Sequence, residues 1–396
     1  MHSRVVNVLI RWGARGLLLG LAGCVEPYVP AVLDAPASYL VVDGFINGNG
    51  VTRIKLSRTA NITSTTTPPV EKGAKLFIVD NTGARYALTE KTSGSYQSDS
   101  LLFSTTHQYQ LRISTAANAT YESALVPLKV TPVIDKLGWK VDGAQVQVQV
   151  NTHDASQQSR YYRWSFVETW EFNAGVYSNL EYFPKPIPPQ RTIDVRITPI
   201  YTCWRTEQSS TIKQGSTAQL SQDALTDFAL LRIATRTERF KVRYSVLVSQ
   251  VTETPEEFAY FEQLRKNSEA VGTVNDPLPT QLTGNLHRLD NSNEPVVGFV
   301  GAHTVQQQRL FIDHTDLPPL AATQYDTPYV ACAAATQYFC SLGQCDVQGV
   351  LNLFTLPGNI PLDFTSDPVL GDGIISASAD CADCRKRGTN IKPSFW

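Results

Sequence analysis

The chain has 396 residues, with 34 Lys and Arg against 36 Asp and Glu and a formal net charge of −2. That length suffices for two or three domains, and a mildly acidic balance without a basic stripe excludes a nucleic-acid partner. Sixteen Tyr, 16 Phe and six Trp supply ample core volume, while low charge with abundant Thr, Ser, Gln and Asn points to a β-rich envelope protein.

Residues 1–23 read as a secretory leader. Arg4, Arg11 and Arg15 come without an acid and precede the apolar run Gly16-Leu17-Leu18-Leu19-Gly20-Leu21-Ala22. A basic start, a short apolar stretch and small residues before a cut site describe a signal peptide. The run is too short to span a bilayer, which takes about 20 apolar residues. The ending Leu21-Ala22-Gly23-Cys24 resembles the lipobox of bacterial lipoproteins, where the cysteine is acylated and the chain is cut just before it. An ordinary signal peptide with a chance cysteine is the alternative, and the small residues directly before Cys24 weigh against it. The expectation is a body tethered outside the cytoplasm by acyl chains on Cys24, each buried CH₂ contributing about 0.8 kcal/mol. Residues 24–37, rich in Pro and Ala, read as the tether.

Residues 38–128 carry short alternating runs separated by turn residues. Leu40-Val41-Val42 runs into Asp43-Gly44, and Thr52, Ile54 and Leu56 alternate with Arg53, Lys55 and Ser57. Leu76-Phe77-Ile78-Val79 ends in Asp80-Asn81-Thr82-Gly83, and Tyr109, Leu111 and Ile113 alternate with Gln110 and Arg112. Period-two patterning between such turns predicts antiparallel strands and an immunoglobulin-like β-sandwich.

Residues 129–330 predict a larger β-rich domain. Val146, Val148 and Val150 alternate with Gln147 and Gln149. From Tyr162 to Phe172 the even positions are aromatic except Glu168, and Phe240, Val242, Tyr244, Val246 and Val248 repeat the pattern. Phe183-Pro184-Lys185-Pro186-Ile187-Pro188-Pro189 must be a loop, because proline cannot donate to a ladder. One helix is expected near 255–269: Thr254-Pro255-Glu256-Glu257 supplies a cap, a first-turn proline and a Glu three residues after the Thr. Phe258, Phe261 and Leu264 share one face, Glu262, Arg265 and Lys266 face water, and Gly272 closes the helix. Residues 331–396 carry five cysteines and little periodicity, and are expected to need covalent staples and to rest on the larger domain.

With Cys24 acylated, Cys203, Cys332, Cys340, Cys345, Cys381 and Cys384 remain, an even number that favours three disulfides in an exported chain. Six cysteines allow 15 pairings and spacing does not choose among them. Zinc held by Cys340, Cys345, Cys381 and Cys384, or redox work by Cys381-Ala382-Asp383-Cys384, are the competing readings. No HExxH, GxSxG, P-loop or GxGxxG occurs, so neither an enzyme nor a cofactor is expected. His153-Asp154, His314-x-Asp316 and the oxygen-rich stretch Asp290 to Glu294 read as turns. The aromatic strand reads first as core, but Tyr162, Trp164 and Glu168 are kept as candidates for a glycan- or peptide-binding platform.

Several segments carry a family resemblance in the right order. They include Leu40-Val41-Val42-Asp43-Gly44, Ile54-Lys55-Leu56-Ser57-Arg58, Cys203-Trp204, and Tyr244 to Gln250. Leu264 to Glu269, Asp276-Pro277-Leu278-Pro279, Gly298-Phe299-Val300 and Arg309-Leu310-Phe311-Ile312 follow. The terminal Cys381-Ala382-Asp383-Cys384 through Lys392-Pro393-Ser394-Phe395-Trp396 is the most distinctive. Together they resemble a lipoprotein family of Bacteroidota known as domain of unknown function four-two-four-nine. The resemblance carries no catalytic residue across. It implies an outer-membrane lipoprotein facing the cell surface, working as a lid or capture subunit beside a TonB-dependent transporter. Only Glu26 closely follows Cys24, where surface-exported lipoproteins of that phylum place several acids.

The expected fold class is thus mostly β: an N-terminal immunoglobulin-like β-sandwich, then a larger β-rich domain with one clear helix and a cysteine-rich C-terminal tail. The expected function is a non-enzymatic accessory subunit for nutrient uptake, with a stand-alone glycan or peptide receptor as the alternative.

Overall fold

The computed structural model describes residues 38–60, 67–188, 190–269, 282, 284–341 and 344–396. The leader, Cys24, the tether, Gly272 and Asp276-Pro277-Leu278-Pro279 lie outside the described residues.

The chain is mostly β. Eight strands of the first body close on themselves, in the order Gln108–Ser114, Lys75–Asp80, Arg85–Thr92, Ser95–Leu102, Asn49–Arg58, Leu40–Asn47, Ala302–His303 and Val126–Lys129. The last strand pairs back onto the first through Gln108 with Pro127 and Tyr109 with Val126. Inward positions bury Leu40, Ile46, Ile54, Leu56, Leu76, Ile78, Leu111 and Ile113, as period-two alternation requires. Closure removes open sheet edges. It depends on Ala302–His303, a two-residue strand running parallel to both neighbours. Leu286–Arg288 also joins this body, on Thr120–Ser123. The first body therefore takes in strands from far beyond residue 128.

The second body is a sandwich of two sheets. Ala224–Ala234, Gln145–His153 and Ile134–Asp142 form one. Thr202–Gln208, Tyr161–Asn173, Arg243–Thr252 and Gln306–Asp313 form the other, with Lys213–Ser216 on the central strand beside Thr202–Gln208. Val146, Val148 and Val150 share one core with Tyr162, Trp164, Phe166, Phe172, Tyr244, Val246 and Val248. Some polar atoms in it are bonded: Trp164 Nε1 donates to Gln250 Oε1 at 2.9 Å, and Gln250 Nε2 donates to Pro132 O and Thr152 Oγ1, both at 3.0 Å. The C-terminal residues add a small sheet, Ala335–Tyr338, Gly371–Ser378 and Asn359–Asp367. Its Ile374, with Phe354, covers Leu180 and Ile193 of the ribbon Leu180–Tyr182 and Ile193–Val195.

The helix spans Pro255–Glu269, and Thr254 Oγ1 accepts from Glu257 N at 3.2 Å. The Glu257 carboxylate, however, turns to the junction between the two bodies. There Glu257 Oε1 meets His303 Nε2 at 3.0 Å and accepts from Arg163 Nη2 at 3.2 Å, while Arg163 Nε bonds Glu253. The side chains of Glu253, Glu257 and His303 are fully buried. Buried charges of this kind are stable only when paired. Burial raises the Glu257 carboxyl, but His303 and Arg163 outweigh it and the net direction is down. Glu253 moves up, its burial and the Glu257 charge outweighing Arg163.

A folded pKa below the ordinary value means that Glu257 stabilises the fold fully above the ordinary glutamate pKa. That contribution is lost as pH falls through the lower folded value. Glu257→Ala is expected to cost about 3–5 kcal/mol at pH 7 in urea unfolding, because it strands the buried His303 and leaves Arg163 with Glu253 alone. The difference between Glu257→Gln and wild type should narrow below about pH 4. A Cβ on Gly301 would strike both Glu257 Oε2 and His303 Nε2. Gly301→Ala is expected to lose about 1–3 kcal/mol, whereas Gly358→Ala, with open space around it, should stay within about 0.5 kcal/mol.

Candidate functional site

The residues singled out from the sequence fall in different places. Tyr162 and Trp164 are 0% and 1% exposed, so they are core and present no platform to a ligand. Tyr162 Oη donates to the buried Asp223 at 2.8 Å, and its hydroxyl is pushed up by burial and then by that carboxylate. Glu168 is also buried, and it is paired: Oε2 accepts from Arg239 Nη1 at 2.6 Å and from Tyr244 Oη at 2.7 Å. Alternation places all three inward, and Arg239 over the Trp170 ring at 4.8 Å seals the remaining side. The proposed aromatic binding platform is therefore corrected to a structural core.

The six cysteines form Cys203–Cys384, Cys332–Cys381 and Cys340–Cys345. The two cysteines of Cys381-Ala382-Asp383-Cys384 thus bond different partners, and neither a zinc set nor a redox pair is left in them. Of the turn readings, His153 Nδ1 meets Asp135 at 2.7 Å instead of Asp154, and Arg288 holds Asp290 at 2.7 Å and also Glu294.

The surface that stands out lies on the ribbon and the loop after it. Ile187, Val195, Ile197 and Tyr177 are 78%, 71%, 73% and 61% exposed. Val195 and Ile197 line two adjoining clefts, one with Tyr177 and Tyr201 of about 370 Å³ and one with Ile187 of about 430 Å³. The Tyr177 and Tyr201 rings meet edge to face at 4.9 Å. Prolines bring Ile187 to the tip, because a loop of that composition cannot bury itself in a ladder.

Polar bonds underneath hold these apolar groups outward. Glu181 accepts from Ile197 N at 3.0 Å, Thr198 N at 2.9 Å and Thr198 Oγ1 at 2.6 Å. Burial raises the Glu181 carboxyl, but those hydrogen bonds prevail and it lies below the usual range. Asp194 is lowered by hydrogen bonds from Arg191 N and Val195 N. Arg196 Nε donates to Ser178 Oγ at 2.9 Å, and Asn179 Nδ2 to Asp363 Oδ2 at 2.9 Å.

The cysteine-rich segment is the wall behind this surface. Gly175 N donates to Cys381 O at 2.8 Å, Cys384 N to Ile200 O at 2.9 Å, and Trp204 and Thr389 exchange backbone bonds at 2.8 and 2.9 Å. Sequence reading missed the surface because an exposed Ile in a Pro-rich loop looks like any other loop residue. The available signals were the apolar Ile187 inside the loop expected at residues 183–189 and, after it, the alternation of Ile193, Val195 and Ile197 with Asp194 and Arg196.

Such an arrangement gathers Ile187, Val195 and Ile197 with Tyr177 and Tyr201 at the surface. Among the described residues there is no group of three or more His, Cys, Asp or Glu placed to hold a metal, and no helix long and apolar enough to cross a membrane. What it offers is preformed apolar area with an aromatic pair, the composition of a protein-interaction core.

A family model described as Domain of unknown function (DUF4249) matches residues 25–309, and the chain belongs to this family. No curated protein is significantly similar to the chain. Among solved structures, the Yersinia pseudotuberculosis adhesin InvE is 14% identical, with 55% of each chain covered and a TM-score of 0.16. The E. coli alpha-2-macroglobulin is 10% identical over 56% of this chain and 13% of its own, with a TM-score of 0.16. The calcium-binding domain CBD12 of CALX1.1 is 9% identical over 68% of this chain and 98% of its own, with a TM-score of 0.13. Likenesses at these scores bear on neither ligand nor activity.

Cys203–Cys384 closes a separation of 181 residues and ties the wall to the central sheet. Replacing both by Ser is expected to cost about 2–5 kcal/mol and to speed proteolysis within residues 380–396, read by unfolding and by mass analysis of the fragments. Unchanged stability and fragments would show that the wall stands without the staple.

Proposed function

With family membership as the premise, we propose that the protein is a lipoprotein of a Bacteroidota outer membrane, anchored through Cys24. In this reading it is a non-enzymatic accessory subunit, a lid or capture component, of a TonB-dependent transporter in nutrient uptake. The observation that carries the reading is the rigid, outward-held apolar surface of Tyr177, Ile187, Val195 and Ile197. Exposed apolar area held in place by polar bonds costs solubility, and a protein partner that covers it offsets that cost. The leader and lipobox support the anchoring, and the family resemblance supports the identity of the partner. A stand-alone glycan or peptide receptor keeps no support from Tyr162, Trp164 or Glu168, which are buried.

Two measurements test this. Cys24→Ala is expected to move the exported chain from the detergent phase to the aqueous phase on phase partition, since one acylated residue supplies the anchor. Affinity purification of the full-length protein from solubilised native outer membranes is expected to bring down a stoichiometric TonB-dependent barrel. Ile197→Lys with Val195→Lys should weaken that association by about 30-fold, while changing stability by only about 0.5 kcal/mol per site. Recovery of the lipoprotein alone from wild-type membranes would count against the transporter reading.

A further inference from the structure

A third cleft, of about 380 Å³, opens at the hairpin end of the C-terminal sheet and is lined by Phe339, Phe364, Thr365, Ser366, Asp372 and Gly373. Register explains its make-up. Phe364 and Gln337 both pair with Ile374, Ser366 pairs with Asp372, and Phe339 N donates to Asp372 O at 2.9 Å. Residues opposite one another, and those two apart along a strand, share a face. Phe339, Phe364, Ser366 and Asp372 therefore stand on the face that carries Ile374. That face is covered as far as Ile374, which is buried with Phe354, Leu180 and Ile193, and Phe339 packs beside them. Beyond Ile374 it opens: Phe364 is 50% exposed, and Ser366 and Asp372 are exposed. Among the described residues nothing hydrogen-bonds the Asp372 carboxylate or the Ser366 hydroxyl, and neither Lys nor Arg lines the cleft.

We propose that this cleft binds a neutral sugar residue of a glycan, with one face of the pyranose on the Phe364 ring and its hydroxyls on Asp372 and Ser366. The face of an aromatic ring is the negative part of its quadrupole and attracts weakly positive C–H bonds. A carboxylate accepts from O–H donors, and a serine hydroxyl both donates and accepts. A pyranose presents both chemistries at once, C–H bonds on its faces and hydroxyls around its rim. The charge that Asp372 brings to the lining is negative and repels an anionic ligand. The volume falls within the range of about 300–1,000 Å³ usual for small-molecule sites. This cleft shares no lining residue with the apolar surface of Tyr177, Ile187, Val195 and Ile197 and does not rest on the transporter reading.

The test is calorimetric titration of the full chain, in a detergent without a sugar headgroup, with neutral gluco-, manno-, galacto- and xylo-oligosaccharides and with choline, each at millimolar concentration. At least one oligosaccharide is expected to bind saturably, and the one that binds identifies the sugar. Asp372→Asn and Phe364→Ala should each weaken that binding by about tenfold, and Phe364→Tyr should keep it. Both side chains are exposed, so the variants should melt within about 2 °C of wild type, and the loss is read on folded protein. The proposal is overturned if no oligosaccharide binds wild type, if choline alone binds, or if either Asp372→Asn or Phe364→Ala binds as tightly as wild type.

Discussion

Two buried carboxylates, an arginine and a buried histidine meet where the two β bodies touch, and the rest of the architecture is arranged around them. Arg163 comes from the central strand of the sandwich, Glu253 and Glu257 from the segment that ends one strand and begins the helix, and His303 from the strand that completes the barrel. Each taken singly would be too costly to bury; together they offset one another's desolvation. Two consequences follow. Gly301 has no room for a side chain, and the two-residue strand that closes the barrel is fixed against the helix. Neighbouring polar contacts extend the seam, with Thr131 Oγ1 and Thr252 Oγ1 at 3.2 Å and Thr131 N donating to Thr304 Oγ1 at 2.8 Å. The sandwich therefore cannot swing freely on the barrel.

Rigidity at the seam gives the apolar surface its meaning. A docking face on a loose domain pays an ordering penalty on association, whereas one carried by a fixed scaffold does not. From the seam, the sandwich leads through Thr202–Gln208 and Cys203–Cys384 to the C-terminal wall, and the wall supports the ribbon bearing Val195 and the loop bearing Ile197. Stapled, buried contacts run behind the surface, and hydrophobic side chains stand in front of it. Under the proposed function, a subunit that meets its partner repeatedly in one orientation needs this kind of construction.

Much of the architecture was legible in the residues. Strict alternation placed Val146 to Val150, Tyr162 to Phe172 and Tyr244 to Val248 in the core, where they are found. The helix start at Thr254-Pro255 and the loop at Pro184 to Pro188 followed from local backbone chemistry. The illegible parts depend on tertiary partners. Ala302–His303 is too short to show a period, so nothing in the sequence announced that it closes a barrel. Glu257 fits a capping box, and only the approach of His303 and Arg163 turns it to another use. Cysteine count predicted bridges, but their pairing is set by how the wall folds back over residues 199–204. Tyr162, Trp164 and Glu168 drew notice for a pattern that proved to be core. Ile193, Val195 and Ile197 do alternate with Asp194 and Arg196, but so short a run does not say which face is left open, and the importance of Ile187, Val195 and Ile197 shows only as exposure.

The central claim is that the face bearing Ile197 meets a transporter barrel in the native membrane. The most direct measurement is photo-crosslinking from a benzophenone amino acid placed at position 197 of the full-length protein in native cells, with adducts identified by mass spectrometry. The account predicts one dominant adduct, to a TonB-dependent barrel, and none from the same probe placed at the exposed position 136 of the opposite sheet. Adducts only to lipid, to other copies of the chain or to unrelated envelope proteins would contradict it.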